Sequence, residues 1–207
     1  MNTLTLASHG PVIPVIVIHD LADAVPMAQA LVDGGVKVLE VTLRTPVALK
    51  CMEAIARSVP GAIVGAGTIR SVADAQASRD AGCQFGVSPG YTSQIGLYCR
   101  NIGLPLLPGV ATSSEVMQAN ADGYDFLKFF PATAAGGIPL LKALHGPFPD
   151  VAFCPTGGIT VETAPQFLAL PNVKVCGGSW LTPADAVKAK DWARITQLAK
   201  EASALRK

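Results

Sequence analysis

Short runs of nearly unbroken apolar residues recur along the chain. Each is closed by Gly or Pro and followed by an Ala-rich stretch that mixes polar and apolar positions. This alternation predicts eight strand–helix units. The predicted strands cover residues 12–18, 36–43, 62–68, 84–88, 105–110, 126–130, 151–156 and 173–177. The helices are predicted to begin near Leu21, Pro46, Ser71, Thr92, Ser113, Gly137, Val161 and Ala184. Two of these starts carry explicit signals. Thr45-Pro46 pairs an N-cap hydroxyl with a proline at the first helical position, and Thr112-Ser113-Ser114-Glu115 is a capping box.

The strands are apolar on both parities, which suits a parallel sheet covered on both faces. Eight units with no linker or break in composition imply one α/β domain, a compact closed (β/α)8 TIM barrel over residues 11–207. Residues 1–10 form an N-terminal extension. An open doubly wound sheet is the alternative.

Composition narrows the function classes. Half of the 207 residues are hydrophobic and 15% are charged, with a formal net charge of +1 and no basic or acidic block. That balance argues against a nucleic-acid or anionic-membrane footprint. No run approaches the ~18 apolar residues that span a bilayer, and the first ten residues lack the basic start and apolar core of a secretory signal. A cytoplasmic location is therefore expected. Five cysteines with no C-x-x-C pair and three histidines in no ligand spacing predict neither a metal site nor a disulfide framework.

In a barrel of this type the chemistry sits at the carboxyl ends of the strands, and the unusual polar residues fall there. Lys128 interrupts the apolar strand Phe126-Leu127-Lys128-Phe129-Phe130, where an ammonium either loses its charge or finds a partner. A neutral amine attacks carbonyls, so Lys128 is the candidate for Schiff-base chemistry. The alternative is an aliphatic stem whose ammonium reaches water. Glu40, in Val38-Leu39-Glu40-Val41, is a candidate proton acceptor or a buried structural partner for Arg44 or Lys128. Glu40, Thr42 and Arg44 share one strand face. Arg44 offers a fork for a carboxylate or phosphate, and Thr68 ends strand three after Gly65-Ala66-Gly67, whose glycines are read as making room in the barrel. Gly157-Gly158 and Gly177-Gly178-Ser179 follow strands seven and eight, where backbone N–H groups and following helices would receive a phosphate. His19, at the end of strand one, is read as a rim histidine.

These segments resemble the 2-keto-3-deoxy-6-phosphogluconate (KDPG) and 4-hydroxy-2-oxoglutarate aldolases. The resemblance rests on Val38 to Thr45, Gly65-Ala66-Gly67-Thr68, Ser88-Pro89-Gly90, Phe129-Phe130-Pro131-Ala132 after Lys128, Cys154-Pro155-Thr156-Gly157-Gly158-Ile159 and Gly177-Gly178-Ser179-Trp180. It implies a homotrimeric, metal-free class I aldolase of the Entner–Doudoroff pathway, acting on a phosphorylated 2-oxo acid with no cofactor beyond the covalent imine. Position by position, it implies Lys128 as the Schiff-base lysine, Glu40 as proton acceptor, and Arg44, Thr68 and Pro89 around the substrate carboxylate. Gly157, Gly158, Gly178 and Ser179 would hold phosphate, and Thr156 would set specificity. The segment before Pro11 is short beside the family's N-terminal helix. Two other readings keep the barrel and the phosphate loops: a metal-free phosphosugar isomerase or synthase, and a non-catalytic phosphometabolite-binding barrel. The preferred substrate stays open between the phosphorylated six-carbon acid and 4-hydroxy-2-oxoglutarate.

Overall fold

The computed structural model describes residues 3–205. Its strands are β1 (Val12–Ile16), β2 (Val38–Thr42), β3 (Ile63–Gly67), β4 (Phe85–Val87), β5 (Leu106–Leu107), β6 (Gly109–Val110), β7 (Phe126–Phe129), β8 (Ala152–Pro155) and β9 (Cys176–Gly178). Helices α1 (Ala24–Asp33), α2 (Ala48–Ser58), α3 (Val72–Asp80), α4 (Ser93–Asn101) and α5 (Ser113–Ala121) follow the first five strand positions. Helices α6 (Gly137–His145), α7 (Ala164–Leu168) and α8 (Ala184–Ala189) follow the last three, and α9 (Trp192–Ser203) ends the described chain.

All strand pairings are parallel, in two groups ordered β5-β4-β3-β2-β1-β9 and β6-β7-β8. The expected fifth strand is broken at Pro108, which has no N–H to give to a ladder. Its first half pairs with β4 and its second with β7. Isolated bridges Phe153↔Val173 and Thr156↔Gly177 link β8 to the β9 stretch. The fold is thus a curled parallel α/β sheet, with interruptions where one unbroken eight-strand ladder was expected.

Side-chain alternation divides the core. Ile13, Val38, Phe85, Phe126, Ala152 and Val175 form one buried cluster inside the curl. Their neighbours of opposite parity, such as Val12, Leu39 and Val64, pack outward against the helices, as do Leu127, Phe129 and Phe153 on the other group. Every strand is therefore buried on both faces, as continuous apolar runs require. Residues Thr3–His9 form a 3-10 helix whose Leu6 is buried in the inner cluster. Residues 3–9 thus contribute one apolar side chain, Leu6, to the inner cluster that also holds Phe85 and Phe126.

The helix starts follow local chemistry. Ser71, Thr92 and Thr112 each accept from the backbone N–H three residues on, and Thr112 with Glu115 completes the capping box. Two expectations are corrected. Thr45 does not cap α2, which begins at Ala48 with Val47 at the cap position. The Thr45 hydroxyl instead donates to the Ile18 carbonyl at 2.6 Å, tying the β2 and β1 loops together. Helix α7 begins at Ala164, later than the expected Val161, because residues 161–163 form a turn.

Leu6→Ala is expected to lower unfolding free energy by about 2–5 kcal/mol, the usual cost of emptying a buried leucine site. Urea denaturation measures it; an unchanged midpoint would show that residues 3–9 do not help seal the inner cluster.

Candidate active site

Strand β7 places Lys128 on the inner face, buried to 4% exposure, and β2 does the same for Glu40 at 3%. The Lys128 Nζ donates to Glu40 Oε1 at 3.1 Å. The lysine's anomalous setting is resolved by a partner, since the two strands are not adjacent in the ladder and meet only across the interior. The Lys128 N–H donates to the Pro108 carbonyl at 2.8 Å, so the break in the fifth strand still anchors the lysine's backbone. Contact at this distance lets one proton pass between amine and carboxylate, giving either an ion pair or a neutral pair.

The carboxylate's position depends on what β3 lacks. A Cβ on Gly67 would lie 2.4 Å from Glu40 Oε1, and one on Gly65 would lie 2.2 Å from the Phe85 ring. Both glycines make room, as the sequence implied. Cys154, the register partner of Lys128 on β8, is also buried; desolvation pushes its thiol up to about 12, with the Lys128 charge and the Thr156 hydrogen bond opposing and Glu40 adding to the rise. The thiol therefore stays neutral beside the pair.

Above the lysine lies a cavity of about 120 Å³. Its lining brings together Lys128, Arg44, Thr156, Gly157, Gly158, Gly178 and Ser179 from four strands and the loops that follow them. Arg44 is exposed just beyond the end of β2, and its Nε donates to Thr68 Oγ1 at 3.3 Å. Thr68 has φ 66°, a left-handed conformation unfavourable for a β-branched residue. Strain of that kind persists where surrounding structure over-determines it, and here it accompanies the hydroxyl's contact with the guanidinium. Pro89 follows β4, with its backbone against Gly109, the register partner of Lys128; no described contact joins it to the lysine.

Thr156 is buried, and a Cβ on Gly177 would lie 2.1 Å from its hydroxyl. Gly157 and Gly158 adopt φ 104° and 75°. The helices after the two glycine loops are short and begin well beyond the glycines, at Ala164 and Ala184. Backbone N–H groups, rather than helix ends, are thus what these loops offer an anion. His19 is exposed and lines an adjoining, wider cavity of about 570 Å³ that also reaches Ser179. Sequence reasoning did not single out Phe130, whose ring centroid is 5.3 Å from Lys128 Nζ. Its spacing of two from Lys128 was the available signal, because alternation puts both on one side. Among the described residues, no group of three or more His, Cys, Asp or Glu side chains is placed to hold a metal.

A buried lysine–carboxylate pair at the strand ends of a parallel α/β fold, beneath an arginine and two glycine loops, defines a site suited to carbonyl chemistry on an anionic substrate. The family model for KDPG and KHG aldolase matches residues 5–198, and the chain belongs to that family. It is 52% identical to the 2-dehydro-3-deoxy-phosphogluconate aldolase of Pseudoalteromonas atlantica over 95% of this chain and 92% of that one. Among solved structures, it matches KDPG aldolase from Legionella pneumophila, with pyruvate captured at low pH as a covalent carbinolamine intermediate. That match has a TM-score of 0.96 and 46% identity over 99% of each chain. The Zymomonas mobilis enzyme with 3-phosphoglycerate matches with TM-score 0.94 and 49% identity over 98% of this chain and 95% of that one.

The thiols of Cys154 and Cys83, both raised to about 12 by burial, are expected to resist iodoacetamide at pH 8. Only about one in 10⁴ would be thiolate there. Peptide mass mapping should find both unmodified in the folded chain and alkylated in urea. Native modification of Cys154 would contradict a dry interior around the pair.

Proposed function

We infer that this chain is a class I aldolase that cleaves 2-dehydro-3-deoxy-6-phosphogluconate to pyruvate and glyceraldehyde 3-phosphate. It also cleaves 4-hydroxy-2-oxoglutarate to pyruvate and glyoxylate. The observation that carries the reading is the buried Lys128–Glu40 contact at 3.1 Å beneath the Arg44 and glycine-loop cavity. A passive binding barrel needs the anion loops but has no use for that pair, and an isomerase or synthase would not form an imine on the lysine. The covalent carbinolamine in the Legionella pneumophila relative supports the same chemistry.

Lys128, made neutral by passing its proton to Glu40, attacks the C2 ketone, and the ketone oxygen becomes a hydroxyl. Glu40 then supplies the proton with which that hydroxyl leaves as water, and the nitrogen lone pair closes the C=N bond of the cationic imine. Glu40 next removes the C4 hydroxyl proton. The C3–C4 electron pair moves into the imine, releasing the aldehyde and leaving a neutral enamine. Protonation at C3 and hydrolysis free pyruvate and regenerate the amine. Arg44 and Thr68 hold the substrate carboxylate, with Pro89 packing nearby. Gly157, Gly158, Gly178 and Ser179 hold the phosphate, and Thr156 helps set substrate preference. Positioning of this kind is worth several orders of magnitude in rate.

The wider reading follows family membership: a closed (β/α)8 barrel over residues 11–207 with residues 1–10 as an extension, a homotrimer, a cytoplasmic enzyme of the Entner–Doudoroff pathway, and catalysis without metal or added cofactor. The strand breaks at Pro108 and the two β8–β9 bridges are compatible with closure, because each interrupted position still pairs on one side. No helix among the described residues is long and apolar enough to cross a membrane.

Borohydride reduction in the presence of pyruvate should attach a pyruvate-derived group to Lys128; no adduct at saturating pyruvate would sink the reading. Glu40→Gln is expected to lower kcat about 10²–10⁴-fold, the range for loss of a general acid–base, while Arg44 still binds substrate. Ser179→Ala should raise KM for the phosphorylated six-carbon acid and leave 4-hydroxy-2-oxoglutarate cleavage near the parent rate; equal losses on both would remove Ser179 from the phosphate site. Activity should survive a strong chelator.

A further inference from the structure

Resting on the Schiff-base reading, we propose that the face of Phe130 stabilises the cationic imine formed at Lys128 and speeds the dehydration that creates it. Phe130 shares a side with Lys128 on the β7 extension, lines the same cavity, and presents its ring with the centroid 5.3 Å from Nζ. A cation over an aromatic face within about 6 Å is attracted by the ring quadrupole, and more strongly when water is excluded.

The chemistry makes this contact matter. When carbinolamine loses water, the C–O bond breaks, Glu40 provides the proton, and the positive charge appears on the nitrogen that becomes part of C=N. One carboxylate then has several atoms to serve: the nitrogen, the departing C2 oxygen and, later, the C4 hydroxyl. Whenever Glu40 turns to the substrate, the nitrogen keeps the Phe130 face. The neighbouring Cys154 thiol is neutral and carries no charge to offset it. Arg44, the other charged group lining the cavity, is a cation and can only disfavour the imine charge. The ring occupies space that a side chain at Gly157 would enter: a Cβ there would stand 3.4 Å from the Phe130 Cδ2. In a low-dielectric site, such fixed electrostatics act without reorganisation.

The test replaces Phe130 in the full chain with mono-, di- and trifluorophenylalanine, which keep the ring's shape while progressively removing its negative face. The readout is the single-turnover rate of borohydride-trappable pyruvate imine at Lys128. The expected result is a stepwise fall, reaching about tenfold for the trifluoro ring, with pyruvate affinity changed less than threefold. Phe130→Leu should fall at least as far, and Phe130→Tyr should stay within about threefold of the parent. Rates flat within twofold across the fluorinated series, or a leucine variant as fast as the parent, overturn the proposal. If the unsubstituted chain traps no pyruvate, the Schiff-base reading itself fails, and that outcome is separate from a flat series on an active parent.

Discussion

The contact between Lys128 Nζ and Glu40 Oε1 is the constraint on which the remainder of the site depends. Two ionisable groups buried to within a few per cent of full coverage cannot be left alone. Removing either partner from such a pair leaves a buried, unanswered charge, typically at a cost of about 3–5 kcal/mol. Well-packed apolar residues of similar size are often as stable or more so in such a place. Stability alone therefore does not account for the pair, whereas the proposed imine chemistry does. A proton can pass between an amine and a carboxylate in contact, and an amine without its proton is a nucleophile.

Holding that contact requires the interior to be shaped by subtraction as much as by filling. Below the pair, Leu6, Phe85 and Phe126 close the inner cluster. Beside it, Gly67 leaves the space that the Glu40 carboxylate occupies, and Gly65 leaves the space for the Phe85 ring. Above it, Gly177 leaves room for the Thr156 hydroxyl. Several groups at the rim sit beyond the strand ends, where the ladder no longer claims their backbone. Arg44, Thr68 and the Gly157-Gly158 turn are all in this position. The strands thus provide a rigid floor and the loops an adaptable rim.

Much of this was legible in the chain. Apolar runs located each strand to within a few residues, and Ser71, Thr92 and Thr112 marked helix starts that the structure keeps. Parity along β2 put Glu40, Thr42 and Arg44 on one face, and Arg44, past the strand's end at Thr42, lines the cavity with Lys128. Other features were not legible for definable reasons. The Thr45-Pro46 signal was outcompeted when the Thr45 hydroxyl found the Ile18 carbonyl, a partner 27 residues away. The fifth strand looked continuous because Pro108 sits among apolar neighbours, and whether a missing N–H matters depends on which side a partner strand lies. The helix dipoles expected at the glycine loops lie farther off, since α7 starts only at Ala164.

By itself, the sequence determined the parallel α/β class, the residue types able to form an imine and hold anions, and the side of each strand on which they lie. Those properties are local: hydrophobic period, side-chain alternation and turn chemistry are written within a few residues of each other. Only the tertiary structure decided that Lys128 answers its buried charge with Glu40 rather than with water, that Gly67 is what admits the carboxylate, and that the Phe130 ring faces the amine. The first two are contacts between segments far apart in the chain, and burial makes all three depend on what every neighbouring strand places in the same few cubic ångströms.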